Sequence, residues 1–482
     1  MSLEMELKLE VAPEFSDKLR ALPLLRRVEP DVACQASVYF DTRRKRLRRH
    51  GWTLRVRESR GRFVQTIKRS EFSAGLFERE EWEEVVHGLR PDSDAIAWTP
   101  LAALLSTHQL RRLAPVVTVE VERSTWLIPA GKGLVEVAFD EGQVRAGGAH
   151  DDFHEIELEL KRGEVGDLSA IARSIGRRIP VRLGVQSKAE RGIALAKRKS
   201  CKAFKADPIV VDEDMTVADG VATILSSCIK QFRLNEPLIG ADRDPEALHQ
   251  SRVAIRRLRA ALSLFKPAME DEESVRLRAA LGDFTNRLGP ARDLDVMLFA
   301  VPPAERRRPV MERKRERAYA AIARMLASAR FRSWMLEFVI WTHAGAWRNG
   351  KRAQQPLMTF ALKRLDRLWR AIQGGAEAFD TLSVTERHQL RIDGKKMRYS
   401  LEFLEAALGR HSSQRRFAKA VENLQETLGV LNDLATARAL SPTRKVRQPP
   451  DEFAPDEEQL LQASRRHLRA LLRTGAYWKQ EF

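Results

Sequence analysis

Near the amino terminus Glu4, Glu6 and Lys8 alternate with Met5, Leu7 and Leu9. In an extended strand this period of two turns both carboxylates and the ammonium to one face. The same chemistry recurs in Glu155, Glu157, Glu159 and Lys161, and further charged faces come from Arg55 with Arg57, Thr66 with Lys68, and Arg79 with Glu81 and Glu83. Carboxylates are natural ligands of hard cations such as Mg2+ or Mn2+, and Arg and Lys grip phosphate oxygens. Phosphoryl transfer mostly needs such positioning and charge neutralisation. One charged strand face would simply be wetted. Several, carrying both signs, are accommodated by a closed barrel with a polar interior and apolar faces packed outward against helices. For Glu81, Glu83 and Arg182 an interior salt-bridge lattice is an equally good account.

A second constellation lies far along the chain. His249, Arg252, Arg256 and Arg259 fall in one sector of a helix at about 100° per residue, opposite Ile255, Leu258 and Leu262, with Arg257 beside them. The pattern returns as His388, Arg391, Lys395, Lys396 and Arg398, and Leu288-Gly289-Pro290-Ala291-Arg292-Asp293 returns, at nearly the same offset, as Leu428-Gly429-Val430-Leu431-Asn432-Asp433. One such helix would read as core-packed with solvated charge. In two copies, like charges repelling along each helix are relieved by a bound polyanion, and a pseudo-twofold could bring both stripes to one groove. The two histidines lack the HExxH spacing of a zinc site, which favours hydrogen-bonding or anion contacts for them.

The elements that must carry these residues differ in kind. Up to about Lys199 the chain alternates, in Glu4 to Glu10, Trp52 to Arg57, Phe63 to Lys68, Val116 to Glu122, Leu134 to Phe139 and Glu155 to Lys161, which predicts antiparallel strands curled into a barrel. After a joining stretch the period becomes helical: Val217 to Phe232, Pro245 to Phe265, Ser274 to Leu288, Arg306 to Leu326, Pro356 to Ala378, Thr385 to Leu408, Arg415 to Thr427 and Asp456 to Leu472. The internal repeat makes this half two related all-α subdomains.

Composition sets the bounds. At 482 residues the chain exceeds one core, and 84 Lys+Arg against 66 Asp+Glu leave a net charge of +18, which asks for an anionic partner. Aromatic residues are 7% of the chain, with 4 Tyr, so the stacking platforms of single-stranded nucleic-acid binders are scarce. The run Arg43, Arg44, Lys45, Arg46, Arg48 and Arg49 shows no strand alternation and reads as a solvated loop. Cys34, Cys201 and Cys228 form neither a CxxC pair nor a disulfide framework. The terminus MSLEMELKLEV lacks the basic flank and apolar core of a secretory signal, and no run reaches the length of a membrane span. A cytoplasmic protein is expected.

Glu4-x-Glu6-x-Lys8 resembles the ExExK signature of the CYTH domain, the triphosphate tunnel metalloenzymes. The ordered set Tyr39-Phe40-Asp41-Thr42, Leu54-Arg55-Val56-Arg57, Thr66-Ile67-Lys68, Arg79-x-Glu81-Trp82-Glu83, Arg123-x-x-Trp126, Val135-Glu136 with Asp140, Glu155-Ile156-Glu157-Leu158-Glu159 and Ser187-Lys188-x-x-Arg191-Gly192 extends the likeness over about residues 1–200. The resemblance implies an antiparallel β tunnel that hydrolyses small triphosphates with Mg2+ or Mn2+. It makes Glu4 and Glu6 metal ligands, Glu157 and Glu159 the opposing carboxylates ahead of Glu136, Asp140 and Glu155, and Lys8, Arg55, Arg57, Lys68, Arg79, Arg123 and Lys188 the triphosphate contacts. Glu4, Glu6 and Lys8 are then the catalytic set, with a water attacking the terminal phosphorus in line.

From about residue 215 to 475, after a linker at 201–214, the HxxRxxxRRxR motif at His249, its copy at His388 and the LGxxRDLD stretch at Leu288 resemble the CHAD domain. That family implies two four-helix bundles with a basic surface that binds inorganic polyphosphate. The expected protein is an α+β multidomain inorganic triphosphatase whose helical half binds long-chain polyphosphate, with association to polyphosphate granules. An adenylate cyclase, a thiamine or nucleoside triphosphatase on the same scaffold, and a non-catalytic polyphosphate- or RNA-binding module are the alternatives.

Overall fold

Alternation becomes strand wherever it was strongest. A computed structural model describes residues 2–69, 76–196, 202–299, 308–409, 412–440 and 457–479. Its described residues contain nine strands: β1 (Ser2–Glu10), β2 (Asp31–Asp41), β3 (Trp52–Ser59), β4 (Arg62–Arg69), β5 (Leu76–Val86), β6 (Ala114–Ala130), β7 (Gly133–Ala146), β8 (Ala149–Arg162) and β9 (Arg182–Leu183). They pair antiparallel in the order β5-β4-β3-β2-β6-β7-β8-β1-β9, and β1 pairs with β5 as well, so β1 to β8 follow one another in a ring. The fold expected from the alternation, a strand tunnel followed by a helical region, is the one observed.

The two faces of each strand part as the period of two requires. Leu7, Leu9, Ile156 and Leu158 are buried on the side away from the charges. Helices Val165–Gly176 and Lys188–Ala196 pack on β6, β7 and β8. Leu54, Val56 and Ile67 join Phe40, Leu47, Ile96 and Leu101 in one apolar cluster, where the short helices Ser93–Ala97 and Leu101–Leu104 cover the sheet. Two motif residues serve this scaffold. Asp41 Oδ1 accepts from the Thr42 and Leu47 N–H groups at 2.7 and 3.0 Å, which ties down the turn leading into the exposed basic run at 43–49. At Gly192 a Cβ would stand 2.3 Å from Val117 Cγ1, so the helix can lie against β6 only with glycine there.

The helical region contains Val217–Gly240, Pro245–Leu264, Glu272–Phe299, Arg308–Ala327, Ala329–Ala344, Leu357–Glu377, Val384–Phe403, Ser412–Leu440 and Glu457–Thr474 among its helices. Two run past the ends that periodicity gave them, Phe232 and Leu288, and continue through Pro237 and Pro290. Ala329–Ala344 has no amphipathic period to betray it, because Phe331, Trp334, Met335, Leu336, Phe338 and Val339 bury it on most sides. Residues 202–214 carry neither helix nor strand.

By contact density the chain divides into two compact units. The first combines Met1–Ala206 with Ser226–Ile255 and Glu272–Gly345; the second combines Asp207–Leu225, Arg256–Asp271 and Ala346–Phe482. The strands therefore share a unit with part of the helical region. In the first unit Arg173 forms a two-pronged pair with Glu337 at 2.7 and 2.8 Å. In the second, Phe265 stacks on Phe360 and Trp369 packs among Phe417 and Trp478. No described helix is long and apolar enough to cross a membrane.

Candidate active site

Register decides which charges meet. Across β1, β8 and β7, Glu6 stands opposite Glu159 and Glu159 opposite Glu136; one step along, Lys8 stands opposite Glu157. Further on, Arg123 of β6 faces Asp140, which faces Glu155. All these strands turn their charged faces to one cavity of about 700 Å³, lined also by Arg55, Arg57, Lys68, Glu81, Glu83 and Lys188.

Within the cavity the cations and carboxylates interlock. Lys8 Nζ reaches Glu155 at 3.1 Å, Glu157 at 2.8 Å and Glu6 at 3.6 Å. Lys188 Nζ reaches Asp140 at 2.8 Å, Glu155 at 2.5 Å and Glu157 at 2.7 Å. Arg123 grips Asp140 through two hydrogen bonds of 2.6 Å and also pairs with Glu157. On the opposite side of the ring Lys68 pairs with Glu81 at 2.9 Å, and Arg55 donates to Thr66, which donates to Glu83 at 3.0 Å.

This crowding shifts ionisation in opposite directions. Burial disfavours the charge on Lys8, but Glu155 and Glu157 outweigh it and hold the ammonium above the ordinary lysine range. Burial likewise opposes ionisation of Glu157, and Lys188, Lys8 and Arg123 overcome it, so its carboxyl lies well below the usual range. Asp140 is lowered for the same reason by Lys188 and Arg123. Arg57 is lowered, chiefly by the neighbouring Arg55. An anion entering beside Arg55 and Arg57 would relieve that repulsion.

Two groups of carboxylates differ in their fitness for a metal. Asp140, Glu155 and Glu157 can bring one oxygen each within 4.8 Å of the others, but Lys8, Lys188 and Arg123 hold those oxygens. Glu6, Glu159 and Glu136 are like charges in adjacent cross-strand positions, an arrangement that costs energy without a cation. Lys161 reaches Glu159 at 2.7 Å and Glu136 at 3.5 Å. Glu6 Oε1 is buried and takes no hydrogen bond. That oxygen, 3.6 Å from Lys8 Nζ and outside hydrogen-bond range, belongs to an all-oxygen set that suits a hard divalent ion.

Of the residues singled out in sequence, Glu6, Lys8, Arg55, Arg57, Lys68, Arg123, Lys188, Glu157 and Glu159 line this cavity, as do Glu136, Asp140, Glu81 and Glu83. Glu4 and Arg79 are direct partners across β1 and β5, and their side chains lie outside the described part. Glu155 is buried in the network, whereas Arg182 pairs with Glu236 at 3.9 Å. Tyr39, the one aromatic among the described lining residues, and Ser187 stand in motifs quoted above but were given no role there; Glu190 and Lys230 also line the cavity and carried no motif signal.

The basic stripes are built differently. Arg256 and Arg259 are exposed, while His249 and Arg252 are half-buried. A Cβ at Gly289 would stand 3.6 Å from Arg252 Nη1, which places the glycine of the LG motif under that guanidinium. Arg257, expected on the binding surface, is 1% exposed and pairs with Glu402 at 2.8 Å. In the second copy His388 pairs through Nδ1 with Asn432, Lys396 reaches Asp393 at 3.4 Å, and Arg391, Lys395 and Arg398 are half-buried.

Comparison with known proteins finds two families in succession along the chain. The family model of the CYTH domain matches residues 2–193 and that of the CHAD domain residues 223–441. An inorganic triphosphatase of Haemophilus influenzae is 28% identical over 203 residues, 41% of this chain and 56% of its own, so the chain spans little more than half of that relative. An uncharacterized protein of Mycobacterium tuberculosis is 25% identical over 432 residues, covering 83% of this chain and 82% of its own. The crystal structure of a CHAD domain from the plant Ricinus communis covers 57% of this chain and 93% of its own at 26% identity, with a TM-score of 0.45. The chain thus carries a region matching the CYTH domain, residues 2–193, followed by one matching the CHAD domain, residues 223–441.

Proposed function

We propose that the protein is a metal-dependent inorganic triphosphatase, converting tripolyphosphate to pyrophosphate and phosphate, with a helical half that binds inorganic polyphosphate. The observation that carries the first part is the cavity itself: a ring of Lys and Arg side chains faces carboxylates, one of which, Glu6, keeps a buried oxygen without a hydrogen bond. Mg2+ or Mn2+ would be held by Glu6 with Glu159 and Glu136, and when bound supplies charge neutralisation and a more acidic attacking water. Lys8, Arg123 and Lys188 exchange part of their carboxylate contacts for phosphate oxygens as substrate enters. Arg55, Arg57 and Lys68 hold the other end of the chain. The interlocked charges fix these groups before substrate arrives, so little reorganisation is left for the reaction.

An inorganic substrate is favoured over a nucleotide or thiamine ester, because Tyr39 is the one aromatic among the described lining residues and the rest of the wall is mostly charged or hydroxylic. The name of the Haemophilus influenzae relative supports the same choice. Measuring phosphate release from tripolyphosphate, ATP and thiamine triphosphate with Mg2+ or Mn2+, on wild type beside Glu6→Gln, tests it. Tripolyphosphate should be the best substrate and the variant inactive. Cyclic AMP as main product, or release unaffected by Glu6→Gln, overturns the reading.

The exposed or half-buried basic side chains Arg252, Arg256 and Arg259, repeated as Arg391, Lys395, Lys396 and Arg398, together with His249 and His388, support polyphosphate binding. They offer charge with few aromatic faces for bases to stack on, so nucleic acid is the poorer ligand. Such binding would place the enzyme at cytoplasmic polyphosphate granules.

A further inference from the structure

Among the described residues that line the cavity, one comes from beyond the match to the CYTH family. Lys230 lies on the helix Val217–Gly240, in the compact unit that holds the strands, and lines the cavity with Ser187, Lys188 and Glu190. Its Nζ stands 2.7 Å from Glu190 Oε1. Glu190 Oε2 accepts from the Ser187 N–H at 2.9 Å, and the Glu190 N–H donates to Ser187 Oγ at 3.1 Å. This reciprocal cap closes the first turn of the helix Lys188–Ala196. Lys188, the first residue of that helix, is the one whose ammonium lies on Asp140, Glu155 and Glu157.

The segment that carries Lys230 is itself anchored to the strands. Arg233, one turn on, donates to the Leu183 carbonyl at 3.0 Å and pairs with Glu10 at 3.2 Å and with Glu236. Lys230 therefore approaches Glu190 from a fixed base, with its side chain 13% exposed. Glu190 joins two structures: one carboxylate oxygen on the cap, the other on the helical region.

We propose that Lys230 is a positioning residue of the tunnel, which through Glu190 holds the first turn of the helix Lys188–Ala196 and so keeps the Lys188 ammonium on its carboxylate cluster. The inference rests on the reading that the cavity binds short phosphate chains, and it extends the working site to a residue of the helical region. Without Lys230, Glu190 can turn away from the cap, and the Lys188 turn loosens. Tripolyphosphate then meets a less ordered cation, a loss in binding more than in the chemical step.

The test compares Lys230→Ala, Lys230→Arg and Glu190→Gln in the full chain. For Lys230→Ala the KM for tripolyphosphate should rise about three- to tenfold, as for one partly buried ion pair, with kcat within about twofold. Amide hydrogen exchange over residues 188–192 should quicken in Lys230→Ala and Glu190→Gln. Lys230→Arg should restore both readouts. Unchanged KM and exchange in Lys230→Ala overturn the proposal, as does a loss that arginine fails to restore. If Lys230→Ala does not fold, Glu190→Gln cuts the same link from the other end and decides by the same two readouts. If the wild type hydrolyses no tripolyphosphate, the functional reading fails, while the exchange experiment still decides whether Lys230 orders the Lys188 turn.

Discussion

Lys8 and Arg256 are both cations suited to phosphate, yet the protein treats them in opposite ways. Lys8 is 5% exposed and surrounded by Glu155, Glu157 and Glu6, whereas Arg256 is exposed on its helix among further basic residues. Around Lys8, Lys188 and Arg123 positive charge is balanced by carboxylates before any ligand arrives, so binding there would be an exchange of partners, although Arg55 and Arg57 still repel each other. On the helices positive charge repels itself, so binding relieves strain already present. The first arrangement suits a small substrate that must be held in one pose. The second suits a long chain that needs charge and no particular register.

The largest effect should separate the two regions by chemistry. Glu6→Gln removes a carboxylate whose buried Oε1 takes no hydrogen bond, and tripolyphosphate turnover should fall at least about a hundredfold, read as phosphate release. Polyphosphate binding by the same variant should stay within about twofold in a filter or fluorescence titration. A parallel loss of both would erase the distinction.

Salt should come next. If four phosphates are neutralised on the helices, raising salt from about 50 to 200 mM should weaken polyphosphate binding by about fiftyfold, and Arg252→Glu with Arg256→Glu should flatten that slope. The KM for tripolyphosphate should move by only a few-fold, because buried pairs are poorly screened. Reversing Arg43 and Arg44 should alter neither.

Arg257 sharpens the comparison within one helix. Arg257→Ala leaves Glu402 without this partner and should cost about 2–3 kcal/mol in chemical denaturation, with polyphosphate affinity within about twofold. A large affinity loss at unchanged stability would put Arg257 back among the binding residues.

The smallest effect concerns pH. Asp140 and Glu157 are held below their ordinary values despite burial, by Lys188, Arg123 and Lys8. Their stabilisation is complete at neutral pH and is lost as pH falls through those lowered values, so melting of chelated protein should drop below about pH 4. Asp140→Asn should show a shallower drop. Lys8 and Lys188 are raised, so their contribution persists to about pH 10 and fades only above it. A drop between pH 5 and 9 would mean that other groups control the unit.

How much of this could be read from sequence depended on periodicity. The faces of β1 and β8 were legible because strict alternation leaves one assignment for each side chain. Arg257 was not, though the spacing held the clue: one residue from Arg256 means about 100° of rotation, which carries it off the stripe toward the core. Ala329–Ala344 lacked the contrast between faces on which helix reading relies. Lys230 gave no signal, since a lysine among helical polar positions resembles any other until the fold brings Glu190 to it.

The ties from Arg233 to Glu10 and Leu183, from Lys230 to Glu190 and from Arg173 to Glu337 carry a consequence for how such proteins recombine. Family matches suggest two exchangeable cassettes joined near residue 200, but the compact unit that holds the strands crosses that seam. A chain ended there would leave Glu10 and Glu190 facing water and uncover the face of Val165–Gly176 on which Ala329–Ala344 rests. Transplanting the tunnel onto another partner would therefore require a replacement surface, and inherited change at the seam must keep both sides in step.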